Sequence, residues 1–270
     1  MRMLVVDAFT DRPFAGNPAA VCLLRDAADA GWMQRVAAEM RHSETAFVRP
    51  VDDPAADFEL RWFTPLVEVA LCGHATLGAA HALYATGAAT PGRPIRFRTL
   101  RSGVLTVERD GPGTLSMDFP ACPPRPVEVP EGLAEALGVP VGAAGRTDQN
   151  DVLVEVADEE TVRRLAPDVP ALAAIDARGV IVTAAAAPGA EHDFVSRFLA
   201  PRVLPGDGED PVTGSAHCAL APYWAARLGR DVLTGYQASP RGGRVRVALR
   251  GDRVVLSGEA VTVLDGELRV

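Results

Sequence analysis

The sequence predicts an α+β protein of two pseudo-symmetric halves, each a curved β-sheet or barrel wrapped around a central α-helix. The first observation is a repeat: residues 68–75 align without gaps with residues 209–216, 141 positions later in a chain of 270. The second is that each copy opens an alanine-rich helical segment with almost no polar face, and such a helix is surrounded by protein. The third is that short strand-like segments flank both helices.

In the first half, the strand signals are short runs rich in β-branched and aromatic residues. Two segments have helical character. Residues 29–40 place apolar side chains on one stripe, and residues 74–85 form a small-residue helix closed by Gly87. Strands are predicted at residues 4–6, 21–24, 43–48, 58–63, 95–99, 104–109 and 115–119.

A proline-rich segment, residues 121–126, separates the halves, because three prolines so close together are excluded from helices and central strands. The predicted domains are therefore residues 1–120 and 121–270, with the last strand able to cross back to the first half. The second half repeats the pattern, with helices predicted at residues 159–165 and 215–228. Its strands are predicted at residues 152–156, 180–183, 193–199, 245–249, 253–257 and 260–264.

Composition excludes several classes of function. The net charge is −8 and there is no basic block, which argues against nucleic-acid binding. All 27 basic residues are arginine, so neither a lysine Schiff base nor a phosphate-loop lysine is available. The Gly-x-Gly-x-x-Gly fingerprint of a dinucleotide-binding fold does not occur. We therefore expect no cofactor.

The sequence also indicates a compartment. No apolar run reaches the ~18 residues of a membrane helix, and the first ten residues do not read as a signal peptide. We expect a cytoplasmic protein that does not bind a membrane. The four cysteines are widely spaced, which favours reduced thiols. Neither they nor the five histidines have the spacing of zinc ligands, so we expect no metal.

Two glycines stand where the repeated loops meet their helices. Backbone N–H groups and the helix dipole make such a terminus an anion site, so Gly73, Gly214 and Ser215 are candidates for binding a substrate carboxylate. Two such termini facing each other would also stabilise the charge that develops when an adjacent carbon loses a proton. The alternative is that both glycines only form tight turns.

Three side chains are candidates for the catalytic chemistry. Glu44 lies in a strand-like run with an apolar far end, where a raised pKa would suit a group that takes and returns a proton. The alternative is a solvated glutamate at a strand start. His74, at a helix start, is a candidate acid/base or hydrogen-bonding group, or else a capping or core histidine. Asp210 precedes a proline near the second helix, and either binds a substrate amine or hydroxyl or caps a turn.

The repeat aligns Cys72 with Thr213. Two cysteines at these positions would form a thiol pair that removes and returns a proton on opposite faces of a carbon, and only one is present. This argues against a two-cysteine racemase and favours Cys72 as a small buried residue. A serine hydrolase is also disfavoured, because Ser215 and His217 are two positions apart on a helix and no Gly-x-Ser-x-Gly elbow occurs.

Six segments in order along the chain resemble the phenazine biosynthesis PhzF-like family: residues 6–10, 14–21, 43–47, 72–76, 209–217 and 237–243. The resemblance implies the fold of diaminopimelate epimerase, with the active site in the cleft between two similar halves, a homodimer and no cofactor. It further implies that Glu44 matches the glutamate that moves a proton between ring carbons of a dihydro-hydroxyanthranilate. His74, Asp210 and Ser215 match supporting site residues.

The expected function is that of an isomerase that shifts a proton on a small carboxylate substrate. Glu44 is the expected general acid/base, and His74 and Asp210 are expected to position the substrate and relay protons. Two alternatives stay open. One is an amino-acid-type racemase or epimerase, and the other is a non-catalytic protein that binds small molecules or other proteins on the same scaffold.

Overall fold

The computed structural model describes residues 1–111, 113–204, 206 and 208–269, and it divides into two compact units. The first unit comprises Met1–Asp118 together with Ser257–Val270, and the second comprises Phe119–Leu256. The C-terminal segment therefore belongs to the first unit, although it follows the second unit in sequence. Among the described residues, no helix is long and apolar enough to cross a membrane.

The first unit consists of a sheet and two helices, α1 (Ala30–Met40) and α2 (Gly73–Ala85). Asp29 starts α1, because its carboxylate accepts a hydrogen bond from the Trp32 N–H at 3.0 Å. The strands are β1 (Arg2–Ala8), β2 (Asn17–Leu23), β3 (Glu44–Asp53), β4 (Ala56–Phe63), β5 (Glu68–Val69), β6 (Ile95–Thr99), β7 (Val104–Arg109), β8 (Leu115–Pro120) and the C-terminal β18 (Ala260–Glu267).

Strand pairing in the first unit mixes parallel and antiparallel neighbours. β1 pairs antiparallel with both β2 and β18. β2 pairs with β3 in parallel, β3 with β4 antiparallel, and β4 with β6 in parallel. β7 then pairs antiparallel with both β6 and β8. Helix α2 packs against β1, β2, β3 and β18, and most of its side chains are buried, so it is the central helix of this unit.

The second unit has one long helix, α6 (Gly214–Leu228), which ends at Gly229 in the left-handed conformation. Three shorter helices are α3 (Leu133–Leu137), α4 (Glu159–Arg164) and α5 (Val169–Ala174). The strands are β9 (Arg125–Val127), β10 (Ala144–Arg146), β11 (Asp151–Glu155), β12 (Gly179–Ala185), β13 (Phe194–Leu199), β14 (Glu209–Asp210), β15 (Val232–Gln237), β16 (Gly243–Arg250) and β17 (Arg253–Gly258).

The second unit repeats the pairing of the first. β10 and β11 are antiparallel, β11 and β12 parallel, β12 and β13 antiparallel, β13 and β15 parallel, and β15 and β16 antiparallel. In the first unit, the strand pairs from β1 to β7 alternate between antiparallel and parallel in the same order. β9 pairs antiparallel with β10 as β18 does with β1. The repeat seen in sequence is therefore a repeat of structure.

An ion pair occupies the same place in both units. Arg61 Nε and Nη2 donate to the Glu68 carboxylate at 2.7 and 2.9 Å, and Arg197 Nε and Nη2 donate to Glu209, both at 2.7 Å. Each pair joins a long strand to the two-residue strand that precedes the central helix. The planar arginine fork thus fixes the chain segment leading into each helix start.

The apolar core extends beyond the two central helices into two smaller clusters. In the first unit, Met33 and Val36 of α1 pack with Phe47 and Phe63 of the sheet. In the second unit, α3, α4 and α5 pack their apolar residues against β11 and β12. These clusters add a covering layer of helices to the sheet of each unit.

The predicted linker is partly wrong. Residues 125–127 form β9, although residue 126 is a proline. All three β9 residues are exposed and pair with β10, and an edge strand of this kind tolerates a proline. β2 begins at Asn17, before the start of the strand predicted at residues 21–24. The elements that the sequence did not predict are α3, α5, β5, β10, β14 and β15.

Candidate active site

A polar cluster lies where three elements of the first unit begin. Glu44 is the first residue of β3, Asn17 the first of β2, and His74 the second of α2. Because β2 and β3 run parallel, their first residues lie at the same end of the sheet. His74 Nε2 lies 3.2 Å from Glu44 Oε2, and His74 Nδ1 lies 3.2 Å from Asn17 Nδ2.

The backbone conformation of Gly16 places Asn17 at this position. Its φ of +64° is left-handed, and a Cβ there would lie 2.1 Å from the Ala8 carbonyl oxygen. Glycine is the residue that satisfies both conditions, so the β1–β2 connection closes tightly just before Asn17. In the same connection the Phe14 N–H donates to the buried carboxylate of Asp7 at 2.7 Å.

The contacts around His74 assign its tautomer. The Asn17 Nδ2 amide can only donate, so His74 Nδ1 accepts and the ring proton lies on Nε2, facing Glu44. Asn17 Oδ1 accepts in turn from the Ser43 hydroxyl at 3.4 Å. This chain of contacts holds a neutral imidazole N–H towards the Glu44 carboxyl group.

Burial controls the charge of this histidine. The His74 residue is 3% exposed, and burial lowers its pKa to about 3, with a smaller contribution from the charge of His42. At neutral pH the contact with Glu44 therefore joins a carboxyl group to a neutral ring, and it is not a salt bridge. The Glu44 side chain is 14% exposed, so Glu44 is the more accessible member of the pair.

Cys72 lies beside the same ring, with its Sγ 3.5 Å from His74 Nδ1. One ligand atom each from Glu44, Cys72 and His74 lie within 4.8 Å of one another, and in the described part of the chain this is the set that could hold a metal ion. Carboxylate, thiolate and imidazole are all zinc ligands. The Asn17 amide already occupies His74 Nδ1, which leaves Nε2 as the nitrogen available for such a role.

A second polar cluster lies at the start of α6. Ser215 is the second residue of α6, the place that His74 holds in α2. Asp210 lies in β14, and its Oδ2 accepts a hydrogen bond from the Thr213 hydroxyl at 2.6 Å. Gln237 Nε2 donates to the Asp210 carbonyl at 2.7 Å, and Gln237 Oε1 accepts from the Thr213 N–H at 2.8 Å.

The two helix starts match residue by residue. Cys72 and Thr213 are the N-caps of α2 and α6, both with extended backbones, and within the described part of the chain neither side chain caps its helix. Gly73 and Gly214 open the helices, where the first-turn N–H groups have no intrahelical acceptor. Each terminus, considered within its own unit, has the backbone geometry that binds an anion.

The structure thus brings Glu44, His74 and Gly73 together in the first unit, and Asp210, Gly214 and Ser215 together in the second. Sequence reasoning missed the residues that hold these groups in place. The turn signal Gly16-Asn17-Pro18 reads only as a loop, although the glycine before a buried asparagine could have marked a constrained position. The other missed polar residues are Asp151, Arg178 and Gln237.

Comparison with known proteins identifies the family. The family model of PhzC-PhzF, described as phenazine biosynthesis-like protein, matches residues 6–266. An uncharacterized isomerase of Pseudomonas aeruginosa is 50% identical over 266 residues, covering 98% of this chain and 97% of that protein. An uncharacterized isomerase of Halalkalibacterium halodurans is 47% identical over 265 residues, with the same coverage of 98% and 97%.

A crystal structure of a PhzF-family phenazine biosynthesis protein from Enterococcus faecalis superposes with a TM-score of 0.91 and 38% identity, covering 100% of this chain and 99% of that one. The family match spans both repeats and includes both polar clusters. The predicted family and fold class are confirmed. The chain belongs to the phenazine biosynthesis-like PhzC-PhzF family, and it is an isomerase.

Proposed function

We propose that this isomerase shifts a proton between carbons of a small carboxylate substrate without a cofactor, with Glu44 as the general acid/base. The observation that carries the proposal is the 3.2 Å contact between Glu44 Oε2 and the neutral Nε2–H of His74. A single carboxyl group, partly buried and 3.2 Å from a neutral imidazole nitrogen, suits a proton that is removed and returned at one face of a substrate.

The reaction needs no oxidant. The Glu44 carboxylate takes a proton from an acidic C–H, and the electron pair of that bond moves into the conjugated system that ends at the substrate carboxylate. Glu44 then returns the proton to a second carbon, so the product is an isomer of the substrate. His74 keeps Glu44 in place and donates to an oxygen of the substrate or of Glu44 as charge develops.

The helix starts are proposed to bind the substrate. N–H groups at Gly73 and Gly214, with the Ser215 hydroxyl, offer donors of the kind that hold a carboxylate. Asp210 is proposed to position a substrate amine or hydroxyl. Its Oδ2 accepts from Thr213 and its carbonyl accepts from Gln237, which supports a fixed orientation for the carboxyl group.

The environment of Thr213 argues against the racemase alternative. Its hydroxyl donates to Asp210 at 2.6 Å and accepts from Gln237 Nε2 at 3.2 Å. A hydroxyl held in this way has no pKa near neutrality and is not the partner thiol that a two-cysteine mechanism needs. This favours one-base chemistry at Glu44.

The experiment is a thermal-shift screen of cyclic and unsaturated carboxylic acids, followed by proton NMR of the hits in D₂O. The proposal expects a hit whose C–H exchanges with solvent and which converts to a positional isomer. Inversion at an α-carbon would select a racemase instead. Hits that bind without any exchange or conversion would select a binding protein and contradict the proposal.

A further inference from the structure

A third polar group of residues lies in the second unit beside the start of α6, and the proposed mechanism leaves it unused. The Arg178 guanidinium is its centre. Arg178 Nη2 donates to Asp151 Oδ2, lies 3.0 Å from Gln149 Oε1, and lies 3.3 Å from Ser215 Oγ. The face of the guanidinium packs over the Phe198 ring, with 5.6 Å from Cζ to the ring centroid. These contacts hold a planar cation next to a residue already proposed to bind substrate.

The structural repeat gives this group a counterpart in the first unit. Asp151 is the first residue of β11, as Asn17 is of β2. Arg178 precedes β12, as Ser43 precedes β3.

Ser215 and His74 are the second residues of the two central helices. In both units the residue that starts the second strand contacts the residue before the third strand. The site of proton chemistry in the first unit therefore corresponds to a cationic site in the second.

The group has hydrogen-bonding capacity that the protein leaves unused. Asp151 is 2% exposed, and its Oδ1 is a buried atom with no hydrogen-bond partner among the described residues, as is Arg178 Nε. Burial raises the pKa of Asp151, and the charge of Arg178 opposes this. The unpaired guanidinium N–H is a donor that an acceptor oxygen of a ligand would satisfy, whereas the unpaired Asp151 oxygen would need a donor.

Access and charge define the ligand. The Arg178 side chain is 36% exposed, against 2% for Asp151, so the guanidinium reaches the surface while its anchor does not. It lies at the N-terminus of a 15-residue helix whose dipole also favours an anion. A planar fork beside a hydroxyl and backbone N–H groups matches the two oxygens of a carboxylate.

We propose that Arg178 is a specificity-determining residue that binds a carboxylate of the substrate together with Ser215, and that Asp151 is the positioning residue that orients its guanidinium. The inference rests on the proposed function for the identity of the ligand as substrate. It adds that the isomerase accepts acids and rejects the corresponding neutral amides, because only an anion replaces the solvation that the guanidinium loses.

The test is binding of a matched pair of probes, anthranilate and anthranilamide, measured by isothermal titration calorimetry. The wild-type protein binds the acid and binds the amide at least about 10-fold more weakly, as expected for a charge-assisted contact. Arg178→Gln weakens binding of the acid by about 10-fold or more and leaves binding of the amide unchanged. Arg178→Lys keeps the positive charge but loses the planar guanidinium fork, so its affinity for the acid falls between those of the wild type and Arg178→Gln.

Arg230→Gln is the matched control, because exposed Arg230 pairs with Asp193 in the same unit; it leaves both affinities as in the wild type. The readout is binding and not turnover, so a failure of Glu44 as the acid/base would leave this result unchanged, and the two proposals fail separately. Circular dichroism establishes folding, and Arg178→Lys replaces Arg178→Gln if the latter does not fold.

Three results would overturn the inference. The first is that no anthranilate binds to the wild-type protein, and the second is that Arg178→Gln weakens acid and amide equally, as a purely structural arginine would. The third is that inorganic phosphate competes as tightly as the acid, which would make this a general oxyanion site without preference for a carboxylate.

Discussion

At the scale of the residue, the charge of His74 determines what Glu44 has to do. A ring with a pKa near 3 does not take a proton from a carboxylic acid at neutral pH. Glu44 therefore does not pass the proton to His74, and one residue acts first as base and then as acid, with its partly exposed carboxyl group able to exchange that proton with solvent between the two steps. Asn17 contributes by fixing the tautomer, because its amide occupies Nδ1 and leaves the ring proton on Nε2.

Cys72 provides a test at this scale. Its thiol lies 3.5 Å from His74 Nδ1, in the position that a two-cysteine mechanism would use. If Glu44 alone moves the proton, Cys72→Ser keeps turnover within about 10-fold of wild type, because the change removes no acid/base group. Cys122→Ser is the control for general effects of losing a thiol. A loss as large as that of Glu44→Gln would assign the chemistry to the thiol instead.

Local sequence identified some of these residues and could not identify others. Glu44 and His74 stand out because one starts a strand-like run and the other starts a helix. Asn17 lies 57 positions from His74 and Arg178 lies 37 positions from Ser215, so their contacts depend on strand pairing that local patterns do not encode. Arg178 is also one of 27 arginines, with nothing in its neighbours to single it out.

At the scale of the element, a proline inside α6 leaves a helix carbonyl free to bind the segment that precedes β9. Pro222 lies inside the helix and has no N–H to offer the Cys218 carbonyl one turn earlier. The Cys122 N–H donates to that carbonyl at 3.0 Å. The same defect that weakens the helix thereby anchors the segment that precedes β9.

The buried histidines of the central helices predict the pH dependence of stability. Burial lowers the pKa of His217 to about 4, and its Nδ1–H donates to the Thr213 carbonyl at 2.8 Å. In the unfolded chain a histidine titrates near pH ~6.5. The unfolded state therefore binds more protons between these values, and the free energy of unfolding falls as the pH is lowered from about 6.5 towards 4. Stability is retained in full above the unfolded pKa.

His217→Asn keeps a donor for the Thr213 carbonyl and removes the titration. In urea unfolding, lowering the pH from 7 to 4 should reduce the free energy of unfolding of this variant by about 3 kcal/mol less than that of the wild type. An unchanged pH slope would contradict the assignment of a buried neutral histidine. The comparison at pH 7.5, where both proteins are uncharged at this position, gives the packing cost of the substitution by itself.

The two central helices were predictable from their alanine-rich runs, since small apolar residues on every side require burial in any fold. The short strands β5 and β14 were not, because two residues carry no periodicity. They are identified only by their pairing with β4 and β13 and by the Arg61–Glu68 and Arg197–Glu209 ion pairs.

At the scale of the whole molecule, the chain order and the structural units differ at the C-terminus. β18 pairs with β1 from Arg2–Glu267 to Ala8–Ala260 and completes the sheet of the first unit. β9 fills the equivalent place beside β10 in the second unit. A homodimer and a cytoplasmic location stay predictions from the family resemblance and the composition.

Truncation tests the assignment of β18 to the first unit. Deleting residues 259–270 removes one of the two partners of β1 and leaves buried β1 residues with an open edge, so the β1 amides that face β18 lose their protection against hydrogen exchange and the first unit melts at a lower temperature. Arg2→Ala, which removes the exposed ion pair with Asp265, is the control and stays close to wild type. Full protection of β1 in the truncated chain would contradict the assignment.

The central claim is that Glu44 moves the proton, and solvent exchange measures this most directly. With a carboxylate that the wild-type protein isomerises, the rate of C–H exchange in D₂O is followed by proton NMR for wild type, Glu44→Gln and the exposed control Glu39→Gln. If Glu44 moves the proton, the control exchanges as the wild type does, and Glu44→Gln exchanges at least about 10²-fold more slowly with unchanged binding of the acid. Exchange by Glu44→Gln at the wild-type rate would contradict it.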